Sequence, residues 1–166
     1  MFEHWNRPIH FGTLPSLADW PRHRPPPLQD FALLLLVDSM GIPDAELEAF
    51  ARLTVSQGMT YLCVWGPDCE RFHDIVDQVV IQREIDLGRY GTPDERFVLT
   101  TWHDKDTLDQ AIFYFLNCAD PLGQPLDSSD CWAAVVVGRG DWAEHVRSRL
   151  ADPGGDWTDG TYEGRP

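Results

Sequence analysis

Four apolar runs constrain the fold of this chain more than any other feature of its sequence. They cover residues 31–37, 61–65, 97–99 and 132–137. Each run is followed by polar or reactive residues and then by a stretch whose apolar residues have the spacing of a helix. Strands that carry no polar face and that alternate with helices are typical of a parallel sheet covered on both faces. The pattern therefore predicts a sheet between two layers of helices.

The stretches between the runs carry the apolar spacing of amphipathic helices. We predict helices over residues 44–57, 69–87, 106–117 and 141–151, with Asp104 or Asp106 as the cap of the third. Strands and helices in this alternation predict a single α/β domain. Its expected architecture is a three-layer sandwich of about four parallel strands, with a Rossmann-like or flavodoxin-like arrangement.

Two terminal segments differ in composition from this domain, which we place at residues 31–151. Residues 1–30 contain six prolines. Because proline supplies no N–H and fixes φ, we expect an extended arm packed on the domain, neither a regular helix nor an inner strand. A disordered linker whose aromatic residues bind a partner is the alternative. Residues 152–166 are polar and glycine-rich and predict a loose tail, which Trp157 and Tyr162 could pin down.

The chain carries a net charge of −14. Such a charge repels nucleic-acid phosphates and anionic membranes, and it favours either solubility alone or a basic protein partner. No apolar run approaches the roughly 18 residues that span a bilayer, and the N-terminus lacks the pattern of a signal peptide. We therefore expect a cytoplasmic protein that binds neither nucleic acid nor membranes, with its four cysteines as free thiols.

The sequence lacks the motifs that mark common cofactor and catalytic sites. The loop after the first run, residues 38–43, is not a glycine-rich dinucleotide fingerprint, and the chain contains no phosphate-binding loop and no nucleophile elbow. The cysteines and histidines show no spacing typical of metal ligands. We therefore predict no cofactor and no metal ion.

A few reactive side chains nevertheless fall at the predicted strand ends, where ligands bind in parallel sheets. His103 could act as a general base with Asp104 or Asp38, and Cys69 could be a nucleophile whose pKa is lowered at a helix N-terminus. The structural alternative is that the aspartates cap helices and that the histidine is an ordinary hydrogen-bonded residue.

Trp65 and Trp102 also fall at predicted strand ends. Exposed there, they would form the centre of a partner-binding surface, with Asp38, Asp68 and Arg139 as the polar groups around them. The alternative is that both tryptophans close the top of the core, and the sequence leaves the two interpretations open.

Three segments resemble a known group of proteins. They are residues 100–104 (Thr-Thr-Trp-His-Asp), 113–119 (Phe-Tyr-Phe-Leu-Asn-Cys-Ala) and 132–138 (Trp-Ala-Ala-Val-Val-Val-Gly). Over roughly residues 30–150 the chain is similar to small bacterial proteins that are classed only as a domain of unknown function. The resemblance implies a bacterial, cytosolic, single-domain protein and assigns no catalytic or binding residue.

The charge and the missing motifs together predict a soluble, acidic, non-enzymatic binding protein with a protein partner, such as an inhibitor or an immunity-like protein. The alternative is a small hydrolase or transferase that uses His103 with Asp104, Asp38 or Cys69. That alternative requires Asp38 and His103 to meet in one cleft, so the first and third runs would have to be neighbouring strands.

Overall fold

Six strands form one sheet in the part of the chain that the structure describes. The structure is a computed structural model, and the described residues are 1–4, 7–23, 30–89, 98–119, 131–155 and 157. The strands are β1 (Phe2–His4), β2 (Arg7–Leu14), β3 (Phe31–Leu36), β4 (Met59–Trp65), β5 (Leu99–Trp102) and β6 (Cys131–Val137). The helices are α1 (Trp20–His23), α2 (Asp44–Ser56), α3 (Cys69–Asp86), α4 (Leu108–Cys118) and α5 (Gly140–Ala151).

The strands lie in the order β1-β2-β6-β3-β4-β5. Neighbouring strands are parallel except for β1 and β2, which pair antiparallel. The predicted single α/β domain with a parallel sheet is confirmed. The sequence predicts the third strand at residues 97–99, but β5 begins at Leu99 and continues through Thr100, Thr101 and Trp102. These three residues are not buried, so the strand does not appear as an apolar run in the sequence. Phe97 lies outside the described residues.

The central strand β3 is buried over its whole length. Leu33 and Leu35 point into a core that α2 and α3 cover. Leu34 and Leu36 point into a second core, on the opposite face, that α4 and α5 cover. The alternation follows from the two-residue period of a strand, and it confirms the predicted three layers.

The N-terminal arm enters the sheet, so the expectation that it contains no inner strand is wrong. β2 pairs with β6 from Ile9 to Leu14 and with β1 on its other side. β2 can pair on this side because none of its pairing residues is a proline. Pro8 precedes the first residue that pairs with β6, and residues 9–14 contain no proline. Pro21 lies in the first turn of α1, where a backbone N–H needs no partner within the helix.

A buried carboxylate ties α4 to α5. Asp109, which is 2% exposed, accepts hydrogen bonds from Arg149 Nε at 2.9 Å and contacts His145 Nε2 at 2.6 Å. Burial alone would raise the pKa of Asp109, but the hydrogen bonds from Arg149 and His145 outweigh burial and hold this pKa below its usual value. The ionised form of Asp109 therefore stabilises the packing of the two helices.

The chain beyond α5 packs back on the domain at Trp157. Its indole lies 5.8 Å from the Phe113 ring in an edge-on contact, the Arg149 guanidinium lies 5.0 Å from its centroid, and its N–H donates to the Pro153 carbonyl. Tyr162 lies outside the described residues. Among the helices described, none is both long and apolar enough to span a membrane.

We expect Asp109→Asn to lower the free energy of unfolding by about 3 kcal/mol at neutral pH, because it removes the carboxylate that pairs with the Arg149 guanidinium and contacts His145. A carboxyl group whose pKa is lowered by folding stabilises the protein above its unfolded pKa, and this contribution is lost as the pH falls through the folded pKa. The difference between wild type and variant should therefore shrink below about pH 4, as measured by urea unfolding across the acidic range.

The control for this measurement is Asp86→Asn, since Asp86 is an exposed residue near the end of α3. Its substitution should change the free energy of unfolding by less than about 0.5 kcal/mol. A difference between wild type and Asp109→Asn that stays constant down to low pH would contradict the role assigned to the ionised carboxylate.

Candidate functional site

The loops that follow the parallel strands emerge at one edge of the sheet. The chain leaves β4 for α3 on one face and leaves β5 for α4 on the opposite face. Adjacent strands whose connections diverge in this way form a crevice at their carboxyl ends, and ligands of open α/β sheets bind in such crevices. A ligand site is therefore expected among the residues that follow β4 and β5.

Asp38 and Asp68 lie at this edge, but both carboxylates serve the loops that carry them. Asp38 Oδ1 accepts a hydrogen bond from the Met40 N–H at 3.0 Å, which closes a local turn. Asp68 Oδ2 accepts from Arg71 Nε at 2.6 Å. Arg71 also donates to the Ser39 carbonyl and to Asp44, so its guanidinium joins the loops after β3 and β4.

His103 binds a different carboxylate from the two that the sequence indicated. Its Nδ1 lies 2.6 Å from Asp106 Oδ2, while Asp104 is exposed to solvent. The predicted pairing with Asp38 is wrong, because β4 lies between the strands that carry the two residues and separates them by about 10 Å in the sheet.

One nitrogen of the buried His103 ring has no hydrogen-bond partner in the described part of the chain. The residue is 6% exposed and its ring lies 4.8 Å from that of Tyr114. Nε2 is buried and has no hydrogen-bond partner among the described residues. Neither Asp104 nor Asp106 caps α4, because the helix begins at Leu108 and its cap position falls on Thr107, which forms a capping box with Gln110.

Cys69 does not have the properties of an activated nucleophile. Burial raises the pKa of its thiol, and the nearby backbone N–H of His103 offsets this only in part. The expectation of a lowered pKa is therefore wrong, because desolvation outweighs the helix N-terminus. Cys63 and Cys118 are, like Cys69, free thiols, and burial also raises the pKa of Cys63.

Trp65 is a core residue. It is 2% exposed, its ring meets that of Trp142 edge-on at 4.9 Å, and its indole N–H donates to the Asp106 carbonyl at 2.8 Å. Of the two interpretations that the sequence left open, the structure therefore selects the core for Trp65.

Trp102 differs from Trp65, because it is 43% exposed at the carboxyl end of β5. It lies on the α3 face of the sheet, where its ring packs on that of His73 at 4.4 Å. His73 also contacts Asp74 at 3.2 Å and Thr100 at 3.0 Å, and the Thr100 hydroxyl donates to Asp77 at 2.6 Å. We call Trp102, His73, Asp74, Asp77 and Thr100 the Trp102 cluster.

Sequence reasoning missed the members of this cluster that α3 contributes. His73 and Asp77 are one helical turn apart, with their Nε2 and Oδ2 atoms 3.6 Å from each other. The spacing of a histidine and an aspartate four residues apart was the available signal. It does not by itself reveal that β5 lies beside α3.

Arg139 stands apart from the Trp102 cluster. It follows β6, which two strands separate from β5. Its guanidinium binds Asp141 at 2.9 Å and covers the Trp142 ring at 4.2 Å. The residues that the sequence placed on one binding surface therefore lie at several places along the sheet edge.

The described residues offer no group of three or more histidine, cysteine or acidic side chains placed to hold a metal ion. They do form a polar groove of about 320 Å³ between α2 and α3, lined in part by Glu48, Arg52 and Gln82. Asp44, which binds Arg71, also lines this groove, but Asp38, Asp68 and His103 do not.

A protein-family model described as a domain of unknown function (DUF7684) matches residues 10–153. The chain belongs to this family. Membership in DUF7684 confirms the resemblance to a domain of unknown function and brings no assigned activity with it. No curated protein and no solved structure matches the chain.

For this DUF7684 member we expect substitution of the two tryptophans to lower the free energy of unfolding by different amounts. Trp65→Ala should lower the free energy of unfolding by about 3–5 kcal/mol, because it leaves a cavity between two helices and the sheet. Trp102→Ala should cost less, about 1–2 kcal/mol, since nearly half of its surface is already exposed. Denaturant unfolding of both variants measures the difference, with Trp65→Phe as a control that retains most of the packing. Equal destabilisation by the two alanine substitutions would contradict this assignment.

Proposed function

We propose that this protein is a non-enzymatic binding module that recognises a basic segment of a partner protein at the Trp102 cluster. The observation that carries the proposal is an exposed indole that packs on a histidine contacted by two exposed carboxylates. Trp102 offers a partly exposed ring that packs on His73 of α3. Asp74 and Asp77, which both contact His73, have solvent-accessible carboxylates.

An arginine or lysine side chain fits the chemistry of this cluster. A guanidinium or ammonium group binds over an indole face by a cation–π interaction of about 0.5–2 kcal/mol. Carboxylates at the rim of the ring supply charge-assisted hydrogen bonds to the same cation. Tryptophan is also among the residues that most often dominate the energy of protein interfaces.

The charge of the whole chain supports a basic partner. A net charge of −14 attracts a basic protein over several ångströms and accelerates encounter, and it disfavours nucleic acid and anionic membranes as ligands. The proposal includes a bacterial cytoplasm as the compartment, where thiols such as Cys63, Cys69 and Cys118 stay reduced. An inhibitor or an immunity-like protein works by this kind of recognition.

Affinity capture with three baits tests the proposal. The baits are wild type, Trp102→Ala and Asp86→Asn, and the lysate comes from the native host. We expect basic proteins that wild type and Asp86→Asn retain at moderate salt and that Trp102→Ala loses by about tenfold or more. Recovery should fall as salt rises, since the carboxylates are exposed.

Asp86→Asn removes one negative charge from α3 and leaves the cluster intact, so it shows whether capture depends on the total charge of the protein alone. Retention of the same proteins by wild type and Trp102→Ala would overturn the proposal. The proposal would also be overturned if the proteins captured by the wild-type bait carried no net positive charge.

A second candidate function rests on the hydrogen bond between His103 and Asp106. A carboxylate on Nδ1 orients the imidazole so that Nε2 can take up a proton, and this Nε2 has no partner among the described residues. We propose as the alternative a hydrolase or transferase in which His103 is the general base and Asp106 its positioning residue. Cys69 is not part of it, because its thiol is buried and its pKa is raised.

This alternative predicts that the purified protein turns over an activated ester or phosphoester. His103→Gln should lower that rate by about 100-fold or more, because it removes the base. Asp104→Asn should not, since Asp104 is exposed and does not bind the imidazole. Absence of turnover in the wild type, or a rate that His103→Gln leaves unchanged, would exclude the dyad as a catalyst.

A further inference from the structure

Among the described residues β5 is the end strand of the sheet, and its outer side lies next to the Trp102 cluster. The His103 N–H donates to the Val64 carbonyl of β4 at 3.0 Å. In a parallel ladder alternate residues direct their backbone groups to the same neighbour. The N–H and C=O groups of Thr100 and Trp102 therefore point away from β4.

No strand among the described residues pairs with that outer side of β5. Backbone groups on a strand edge are a template for pairing with another extended chain. Recognition by strand addition uses such an edge: backbone hydrogen bonds supply affinity, and pockets for alternate side chains supply specificity.

The groups on the two faces of β5 determine which side chains of an added strand would fit there. On the α3 face, Thr100 and Trp102 lie beside Asp77 and His73. On the α4 face, Leu99 packs on the core that α4 covers. Side chains on neighbouring strands lie about 4.5–5.5 Å apart, so every second residue of an added strand would meet the carboxylates and the indole, and the residues between would meet apolar surface.

We propose that β5 binds the partner by strand addition, and that the partner supplies an extended segment in which basic and apolar residues alternate. The basic side chains lie on the α3 face over Trp102 and Asp77, and the apolar side chains lie on the α4 face beside Leu99. This inference rests on the proposed recognition of a basic partner and adds its geometry. The charge of the protein selects this occupant over an acidic or neutral strand.

The probe is a synthetic peptide of alternating arginine and valine, titrated calorimetrically into the full-length protein at moderate salt. We expect Trp102→Ala and Asp77→Asn each to weaken binding by about tenfold, because each removes a group that faces the arginines. Asp77→Asn retains an oxygen that accepts the Thr100 hydrogen bond, so it tests the charge and spares the fold. Asp86→Asn is the matched control and should bind the peptide as wild type does.

Backbone methylation of the peptide tests the strand pairing itself. In an extended chain, residues whose side chains share a face also direct their N–H groups to the same side. Methylation of the arginine amides and methylation of the valine amides therefore block opposite edges of the peptide. Strand addition predicts that one of the two methylated peptides loses at least about tenfold in affinity and that the other retains binding. An antiparallel strand is sensitive at the arginines and a parallel strand at the valines.

Equal binding of both methylated peptides, or equal loss in both, would overturn strand addition, because pairing at one edge requires a difference between them. If the unmethylated peptide does not bind while capture still depends on Trp102, strand addition fails and the proposed function stands. If capture is also independent of Trp102, both fail.

Discussion

Burial of β3 on both faces is the constraint on which the rest of the structure depends. Each of its six residues is buried, so the strand must lie inside the sheet and helices must cover both sides of it. β3 itself therefore carries no polar side chain. The polar residues that follow the buried strands lie where this core ends, at the carboxyl edge of the sheet.

The apolar runs sufficed to predict the strands β3, β4 and β6, because a strand buried on two faces leaves an uninterrupted apolar signature. The signature fails for β2 and β5. In β2 the composition of the whole arm concealed a proline-free segment, residues 9–14, which pairs with β6. In β5 the residues Thr100 and Thr101 are partly buried and polar, so the strand resembles a loop in sequence although it completes the sheet.

The strand-end residues could be predicted as a set, but their neighbours could not. The carboxylate that binds His103 is that of Asp106, while Asp38 lies on the far side of β4. This choice depends on the strand order and on the loop that leads into α4, and the spacing of residues along the sequence predicts neither. The two-residue period of β5 then directs Trp102 and His103 to opposite faces. Adjacent residues of one motif thus belong to two separate environments, an exposed one beside α3 and a buried one beside α4.

The outer edge of β5, which no described strand pairs with, also presents a risk, because the edges of two copies of a strand can pair with each other. Self-pairing of β5 would bring Asp77 of one molecule close to the carboxylates of another, and like charges that face each other across strands are destabilising. The acidic groups beside Trp102 therefore disfavour association of the protein with itself. If the partner is the basic strand proposed above, the same groups would attract it, and a single set of charges would both oppose self-pairing and select the partner.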